Sequence, residues 1–393
     1  MPWNEVTSMD ERTQFIADVL RRALTIAELC DRYGISRKTG YKWIGRYQAG
    51  GPAGLAERSH RPHQPAHQTA PEIVDALVEA RRRHPNWGAK KLLKKLADKE
   101  PRWLWPARST ANDILDRLGL VRHRRQRRIA GHPGRPTTVA VAPNDLWCTD
   151  FKGQFKTRDG IYCYPLTTTD AHSRYLLGCQ GLYTTACADA RPVFTRLFRE
   201  FGLPLRMRSD NGVPFATTTL ARLSKLSAWW VRLGILPDLI QPGKPQQNGS
   251  HERMHLTLKN ETTRPPAGNL AAQQRRFNGF IEEFNQERPH EALDQEVPAS
   301  QYTPSPRPMP SKIPRLEYPA HYELRLVSDN GGIRWNHHWV NISQCCAGEN
   351  IGLEETGNGV WDVYFGPLKL GRLLEEHLRI EDRFGKLKRH DRS

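Results

Sequence analysis

Three acidic side chains in this chain stand in local settings suited to holding metal ions. Asp150 lies in the apolar segment "LWCTDFKG", Asp210 ends "LRMRSD" and precedes Asn-Gly, and Glu252 follows the turn-forming "PQQNGS". A carboxylate in an apolar strand is destabilising unless a cation or a donor lies nearby. Hard divalent cations such as Mg2+ take oxygen ligands, which two strands and a helix can supply together. Two such ions, about 3.5–4 Å apart, activate an attacking hydroxyl group and stabilise the leaving oxygen of a phosphodiester.

Each acid also has an ordinary structural explanation. A strand aspartate can simply be hydrogen-bonded, Asp-Asn-Gly is commonly a turn, and a glutamate near a helix start stabilises the helix dipole. Taken singly, these explanations are preferred. The three acids occur in this order on two strands and a helix, and that combination favours a metal-dependent site.

Positive charge is concentrated near the N-terminus. The chain has a net charge of +17, and residues 1–135 hold 27 basic and 14 acidic side chains, a net of +13. A solubilising surface would not need most of the excess in one third of the chain. The distribution therefore indicates a polyanionic partner, most simply nucleic acid bound through its phosphates.

Residues 144–300 supply the elements that must position the acids. Short segments rich in β-branched and aromatic residues predict strands, and an apolar stripe along "ADARPVFTRLFREFG" predicts an amphipathic helix. Further helices are expected around 217–233, at Glu252 and at 271–287. Strands followed by alternating helices and strands imply a mixed sheet with helices on both faces.

Residues 9–49 are predicted to form three short helices. Thr25 and Ser36 are suited to cap the second and third helices, and Gly34 to make the turn between them. This is the layout of a helix-turn-helix, although small protein-interaction bundles share it. With the local charge, DNA binding is favoured, and the last helix would offer its basic side chains to DNA. They are Arg37, Lys38 and Lys42.

A second pattern of three helices occupies 72–121, after a linker (50–71) rich in Gly, Pro and His. Ser109 is expected to cap its last helix. The following "RHRRQRR" lacks core-forming residues and is interpreted as a solvated arm that follows phosphates. Its predicted DNA contacts are Arg124, Arg125, Arg127 and Arg128.

The C-terminal part follows a proline-rich linker, 297–315. The segment "YELRLVSDNGGIRWNHHWVNIS" predicts a hairpin around "DNGG". With the strands of "GVWDVYFGPLKLGRL", it predicts a small β-barrel followed by a basic tail.

Composition excludes several protein classes. No stretch approaches the roughly 20 apolar residues of a membrane span, and the charged N-terminus does not resemble a signal peptide. Seven cysteines without a C-x-x-C pair argue against a disulfide framework and fit a reduced cytosol. His60, His63 and His67 are interpreted as linker residues, because prolines and not cysteines accompany them.

The motifs "WCTDFKG", "RSDNGVPF" and "PGKPQQNGSHERMHLTLKNE" resemble those of integrase-core (DDE) insertion-sequence transposases, relatives of retroviral integrases with a ribonuclease H-like fold. The resemblance covers most of residues 1–300. It implies that Asp150, Asp210 and Glu252 are the catalytic metal ligands for two Mg2+ or Mn2+ ions. It also implies that Lys259 faces DNA, and seven residues, about two helical turns, do place Lys259 on the face of Glu252.

One departure from the family is the 41-residue separation of Asp210 and Glu252, which exceeds the usual spacing. We expect the extra residues to lengthen the helix containing "SKLSAWWVRLG". The expected domains are a helix-turn-helix domain (1–58), a second helical domain with the basic arm (71–128), a ribonuclease H-like core (140–300) and a small β-barrel (318–393).

The function expected from this resemblance is DNA transposition. The chain would bind the inverted-repeat ends of a mobile element, free 3′-OH groups and join them to target DNA, as a homo-oligomer in a prokaryotic cytoplasm, at the nucleoid. One rival is a metal-dependent nuclease of the same fold that cannot join strands. Another is a catalytically dead DNA-binding regulator; fold alone does not separate them.

Overall fold

The computed structural model describes residues 8–57, 69–121, 138–240 and 245–382. The chain divides between Ala70 and Pro71 into two compact units. Several residues singled out above lie outside the described ranges: His60, His63, His67, Arg124, Arg125, Arg127, Arg128 and the basic C-terminal tail.

The first unit contains the helices predicted for residues 9–49, namely α1 (Ser8–Arg21), α2 (Ile26–Arg32) and α3 (Arg37–Gly50). Both predicted caps are confirmed. Thr25 forms a reciprocal capping box with Glu28, and the Ser36 hydroxyl accepts from the backbone N–H of Thr39 at 3.2 Å. Gly34 adopts a φ of +63° in the turn, a conformation that favours glycine.

Helix α3 crosses α2 closely. A Cβ at Gly40 would stand 2.5 Å from the Sγ of Cys30, so a larger residue at this crossing would force the helices apart. Phe15, Leu29 and Trp43 complete the buried core of this unit. Local capping and this packing together form the helix-turn-helix.

The second helical segment consists of α4 (Pro71–Arg83), α5 (Ala89–Lys99) and α6 (Arg108–Arg117). Its core includes Leu77, Trp87 and Leu92. The expectation that Ser109 caps the last helix is wrong. The first helical hydrogen bond runs from Ala111 N to Ala107 O, 3.0 Å, which places Ser109 inside the first turn.

The central part is built on a mixed sheet, as predicted. Its strands are β1 (Leu146–Phe151), β2 (Phe155–Lys156), β3 (Tyr162–Asp170), β4 (Leu176–Leu182), β5 (Arg206–Ser209) and β6 (Leu236–Leu239). The order β3-β1-β5-β6 runs along the sheet, and β2 and β4 both pair with β3. Strand β1 is antiparallel to β3 and parallel to β5, which is parallel to β6.

Helices cover both faces of this sheet. They are α7 (Cys187–Phe201), α8 (Lys225–Arg232), α9 (Gly249–Thr262) and α10 (Leu270–Glu282), the last continuing into a π-helical turn at Glu283–Glu287. Leu177 packs in the cluster that includes residues of α7 and α8. Its neighbour Leu176 packs with α9 and α10, since successive strand side chains point to opposite faces.

The expectation of a lengthened helix between Asp210 and Glu252 is wrong. Helix α8 has eight residues and follows a 3-10 turn at Leu220–Arg222. The hydroxyl groups of Thr217 and Thr219 both donate to Leu223 O at 2.6 Å. Such side-chain bonds compete with helical ones, so the extra residues form turns.

The C-terminal part is antiparallel β structure. Its strands are β7 (Glu323–Leu326), β8 (Gly332–Trp335), β9 (His338–Asn341), β10 (Asn350–Gly357), β11 (Val360–Phe365), β12 (Leu368–Leu374) and β13 (Arg379–Asp382). One sheet has the order β13-β12-β11-β10-β7, and β8 pairs with β9.

The hairpin expected around "DNGG" lies elsewhere. Strand β7 pairs with β10, and the tight hairpin joins β8 to β9 through Asn336 and His337. Both of these residues have positive φ, 45° and 66°, the conformation of a turn whose twist matches the strands it joins. Asp329, Asn330 and Gly331 form a local turn before β8, and Gly332 begins that strand.

The C-terminal sheet shares its apolar core with the segment before β6. Leu223, Ala228 and Val231 are buried in one cluster with Ile351 and Val363 of the sheet. Arg232 and Glu349 add an ion pair at 2.9 Å. No helix in the described ranges combines the length and the apolar character needed to span a bilayer.

Candidate functional site

Asp150 and Asp210 lie at the same end of two neighbouring parallel strands. Cys148 of β1 is opposite Arg208 of β5, and each aspartate follows its strand residue by two positions. The strand register therefore carries the two carboxylates to adjacent positions at the carboxyl end of the sheet. Ligands of open α/β sheets are commonly bound at this end.

The loop after Asp210 is held tightly. The Gly212 N–H donates to Asp210 Oδ1 at 3.2 Å, and a Cβ at Gly212 would stand 3.0 Å from Oδ2. The missing side chain of Gly212 therefore allows the backbone to lie close to the Asp210 carboxylate. Asn211 donates from Nδ2 to Ile240 O at 2.9 Å, which ties the loop to the end of β6.

The electrostatics of Asp150 link the three predicted acids. Burial, the charge of Asp210 and, to a smaller extent, the charge of Glu252 together raise the pKa of Asp150 to about 7. A backbone hydrogen bond at Phe151 and the charge of Lys152 act in the opposite direction. Repulsion of this kind is relieved by a bound cation, which would favour the ionised form of Asp150.

Buried histidines hold α9 against the sheet. Thr167 Oγ1 lies 2.8 Å from His251 Nε2, 2.6 Å from His255 Nε2 and 3.1 Å from Asp150 O. The hydroxyl has one hydrogen, which it donates to the Asp150 carbonyl. Both rings must therefore donate from Nε2, and His251 Nδ1 accepts from Thr169 Oγ1 at 2.8 Å.

The two rings remain neutral in this environment. Burial lowers the pKa of His251 to about 3 and that of His255 to about 2. His255 Nδ1 lies 3.9 Å from Asp150 Oδ2, beyond hydrogen-bonding distance, so the ring is close to the carboxylate without bonding to it. The sequence analysis did not identify these histidines; their i, i+4 spacing beside Glu252 was the available signal.

Glu252 and Lys259 lie on the outer side of α9. Glu252 is exposed in the first turns of the helix, as expected. Burial and then the charge of Lys259 lower the pKa of Lys152, and the charge of Asp150 acts in the opposite direction. Lys152 was not singled out from the sequence, although it follows Asp150 by two residues, the spacing of side chains on one strand face.

The carboxylate oxygens at the carboxyl ends of β1 and β5 are suitable ligands for a hard cation. The three candidate ligands are carboxylates, and Asp150 and Asp210 stand together at the strand ends. Within the described ranges, however, no group of three His, Cys, Asp or Glu side chains has the spacing needed to enclose a metal ion. Glu252 thus contributes charge to Asp150 without completing a ligand set.

The predicted base-reading residues of α3 are accessible. Arg37, Lys38 and Lys42 are exposed, and Lys42 Nζ lies 4.8 Å from the centre of the Trp43 ring. Their side chains lie on a helix whose other face is buried in the first unit. The arginine arm lies outside the described residues.

Comparison with known families bears on these observations. Two models described as integrase core domain match residues 140–245 and 233–298. Models described as a helix-turn-helix domain and a homeodomain-like domain match residues 11–63 and 39–115. The integrase-core matches include Asp150, Asp210 and Glu252.

Curated relatives come from bacterial insertion elements. An uncharacterized 39.2 kDa protein of insertion element IS476 from Xanthomonas euvesicatoria is 26% identical over 71% of this chain and 78% of its own length. An uncharacterized 31.7 kDa protein of IS407 from Burkholderia multivorans is 27% identical over 46% of this chain, which spans 62% of that relative. Residues 140–298 thus match an integrase core, in a chain that is similar to proteins of bacterial insertion elements.

Retroviral proteins also resemble the integrase core. The Gag-Pol polyprotein of baboon endogenous virus is 30% identical over 34% of this chain, but over only 7% of the polyprotein. The HTLV-2 integrase catalytic core, solved in complex with magnesium, covers 42% of this chain at 15% identity with a TM-score of 0.34. The integrase-core family generally uses divalent metal ions.

Proposed function

We propose that this chain is a DNA transposase. It binds the inverted-repeat ends of a mobile element, cleaves to free 3′-OH groups and joins them to target DNA by transesterification. The observation that carries the proposal is the register of β1 and β5, which places Asp150 and Asp210 side by side while Glu252 adds to the repulsion at Asp150. The insertion-element relatives support it.

Each group at the site has a proposed role. Asp150, Asp210 and Glu252 would hold two Mg2+ or Mn2+ ions, which supply activation of the attacking oxygen and stabilisation of the leaving oxygen. The His251–His255 network holds α9, and therefore Glu252, at a fixed position over the sheet. Lys152 and Lys259 would contact the DNA backbone beside the reacting phosphate.

The proposed partners follow from the helical units. Arg37, Lys38 and Lys42 would read the element ends, and the arm residues Arg124, Arg125, Arg127 and Arg128 would bind phosphates without reading sequence. We propose double-stranded DNA as the partner of a homo-oligomer acting at the prokaryotic nucleoid. With the domain boundaries proposed from the sequence, residues 1–58 and 71–128 would bind DNA and residues 140–300 would catalyse the reaction. No role is proposed for residues 318–393.

The decisive experiment removes each acid in turn. Asp150→Asn, Asp210→Asn and Glu252→Gln should each lower cleavage and joining by on the order of a thousandfold or more, because several kcal/mol of transition-state stabilisation is lost. Binding to element ends should persist. Glu200→Gln, on the exposed side of α7, is the matched control and should retain activity.

The outcomes separate the proposal from its rivals. Cleavage without joining of a pre-cleaved end would indicate a nuclease. Binding without either reaction in the wild-type protein would indicate a regulator. Double substitutions among the acids should add little, since groups that act as a unit are non-additive.

A further inference from the structure

A cleft of about 830 Å3 lies between the second helical segment and α9. Its lining is strongly cationic, and we refer to it as the basic cleft. The cationic side chains that line it are Arg81, Arg82, Lys91, Arg174, Arg253 and Arg288. None of these residues belongs to the acid site or to the predicted DNA contacts described above.

The walls of the basic cleft are held together by contacts between α5 and the core segment 283–296. The indole N–H of Trp87, which is 1% exposed, donates to Glu283 at 3.2 Å. The ion pairs alongside it are Lys90–Glu291 at 3.1 Å, Lys94–Glu296 at 2.9 Å and Lys95–Glu287 at 3.5 Å. Exposed pairs are individually weak, but Trp87 supplies a buried anchor. These lysines of α5 are therefore engaged by carboxylates of the segment 283–296.

Positive charge in the basic cleft is not balanced. Its acidic lining residues are Asp170 and Glu261. Asp170 accepts from the Ser173 N–H and hydroxyl and from the Asn144 N–H, at 2.6–2.8 Å. Glu261 is paired with Arg288 at 2.9 Å. Both carboxylates are thus committed to protein groups.

Several cations in the cleft lack protein partners. Among the described residues, no hydrogen bond or ion pair engages the guanidinium groups of Arg82, Arg174 or Arg253. Arg81 donates to the carbonyls of Pro85 and Trp87, yet its Nε is buried with no partner in the described part of the chain. A buried donor without a partner is destabilising, and an anionic oxygen would satisfy it.

The pKa of Lys91 is affected by the excess of positive charge in the basic cleft. Burial, followed by the charge of Arg288, lowers its pKa to about 8, and Arg253 acts in the same direction. An anion in the cleft would oppose the repulsion that Arg288 and Arg253 exert on Lys91.

The basic cleft adjoins the acid site around helix α9. Glu252 and Lys259 share one face, and Arg253, Leu256 and Asn260 of the adjoining face line the cleft. At 100° per residue, Arg253 is about a quarter-turn from Glu252. A DNA backbone that reaches the acids can therefore continue into the cleft.

We infer that the basic cleft binds backbone phosphates of the duplex whose end is processed at the acid site, so that the second helical segment and α9 hold one DNA between them. The inference rests on the proposed function for the identity of the ligand. The charge imbalance and the unpartnered guanidinium groups argue for a phosphate ligand independently of catalysis.

The test compares two double variants of equal charge in the full chain. Arg82→Gln/Arg253→Gln alters the cleft, and Arg199→Gln/Arg275→Gln alters exposed arginines on α7 and α10. Affinity for a duplex carrying the element end is measured in EDTA over a series of salt concentrations. Each lost phosphate contact reduces the slope of log K against log salt by about 0.9. The cleft variant should flatten the slope by about two units, and the control should not change it.

The outcomes are distinct. Equal slopes for the two variants, with unchanged melting temperatures, would overturn the inference while leaving the acid substitutions as a separate test of catalysis. Calorimetry with ATP examines free nucleotides as the phosphate source. Submicromolar ATP binding that the cleft variant abolishes, together with an unchanged DNA slope, would assign the cleft to a nucleotide and overturn the DNA assignment.

Discussion

The hydroxyl oxygen of Thr167 lies 2.6 Å from His255 Nε2, and this contact joins the middle of the sheet to the helix that carries Glu252. Thr167 is also opposite Asp150 in the β1–β3 pairing and donates to its carbonyl. One hydroxyl group thus connects the backbone of the first acid to the helix of the third. The position of Glu252 relative to Asp150 therefore depends on hydrogen bonds of Thr167 with the α9 histidines, in which neither acidic side chain takes part.

Replacing Thr167 by valine tests this network. Thr167→Val should leave the Nε2–H groups of His251 and His255 buried without acceptors, at about 1–3 kcal/mol each. The free energy of unfolding, measured with urea, should fall accordingly, and cleavage should fall with it. Thr195→Val is the matched control, because that hydroxyl bonds to Arg191 O of its own helix, α7, and its loss should change stability by less than about 0.5 kcal/mol. Equal stabilities for the two variants would show that the network contributes nothing.

The proposed DNA contact of Lys259 can be tested by reversing its charge. Lys259→Glu should greatly reduce joining of a pre-cleaved end, because a like charge would face the DNA backbone. Lys259→Arg should be tolerated, since charge and reach are kept. Lys225→Glu, exposed on α8, controls for the overall change in charge. Full joining by a folded Lys259→Glu protein would make Lys259 an ordinary surface residue and leave Glu252 unaffected.

The metal requirement gives a separate prediction. Mg2+ or Mn2+ should support cleavage and joining, whereas Ca2+ should support DNA binding with little reaction, because its longer and looser coordination does not keep an in-line geometry. Rates are compared after chelation with EDTA and re-addition of each ion. Wild-type rates in EDTA would contradict a two-metal mechanism.

The two proposed sets of DNA contacts should respond differently to sequence. Alanine at Arg37, Lys38 or Lys42 should weaken binding to the element's ends more than binding to scrambled DNA, because an exposed helix presents these side chains to base edges. Alanine at Arg124, Arg125, Arg127 and Arg128 should weaken both DNAs alike and flatten the salt dependence. Affinities for both DNAs, measured at several salt concentrations, distinguish the sets. Equal losses on both DNAs from the first set would show that α3 does not read sequence.

Features that depend on neighbouring residues were predictable from the sequence. The caps at Thr25 and Ser36 each arise from contacts within three positions, and both are present. The mixed sheet followed from the order of strands and helices. The expected lengthening of α8 was wrong, because the hydroxyl groups of Thr217 and Thr219 bond to the Leu223 carbonyl. The spacing of apolar residues does not show that these side chains compete with helical hydrogen bonds.

Long-range contacts were beyond sequence reasoning. Lys94 and Glu296 are 202 positions apart, and nothing in either local pattern specifies their pairing. Lys90, Lys94 and Lys95 of α5 all pair with carboxylates of the segment 283–296, partners that lie far away in the sequence. The His251 and His255 bonds to Thr167 likewise depend on how α9 lies on β3, which a sequence pattern alone does not determine.

The shared core of α8 and the C-terminal sheet constrains how these proteins can be recombined. Val231 is fully buried, and a Cβ placed on Gly366 would approach it to 3.4 Å. In a chimera that joined this integrase core to a relative's C-terminal strands, the apolar surface of α8 would face a sheet with different side chains. We expect the two surfaces to pack poorly. Residues 217–232 and the strands from residue 323 onward thus pack as one unit, and we expect an exchange between relatives to preserve folding only if both are transferred.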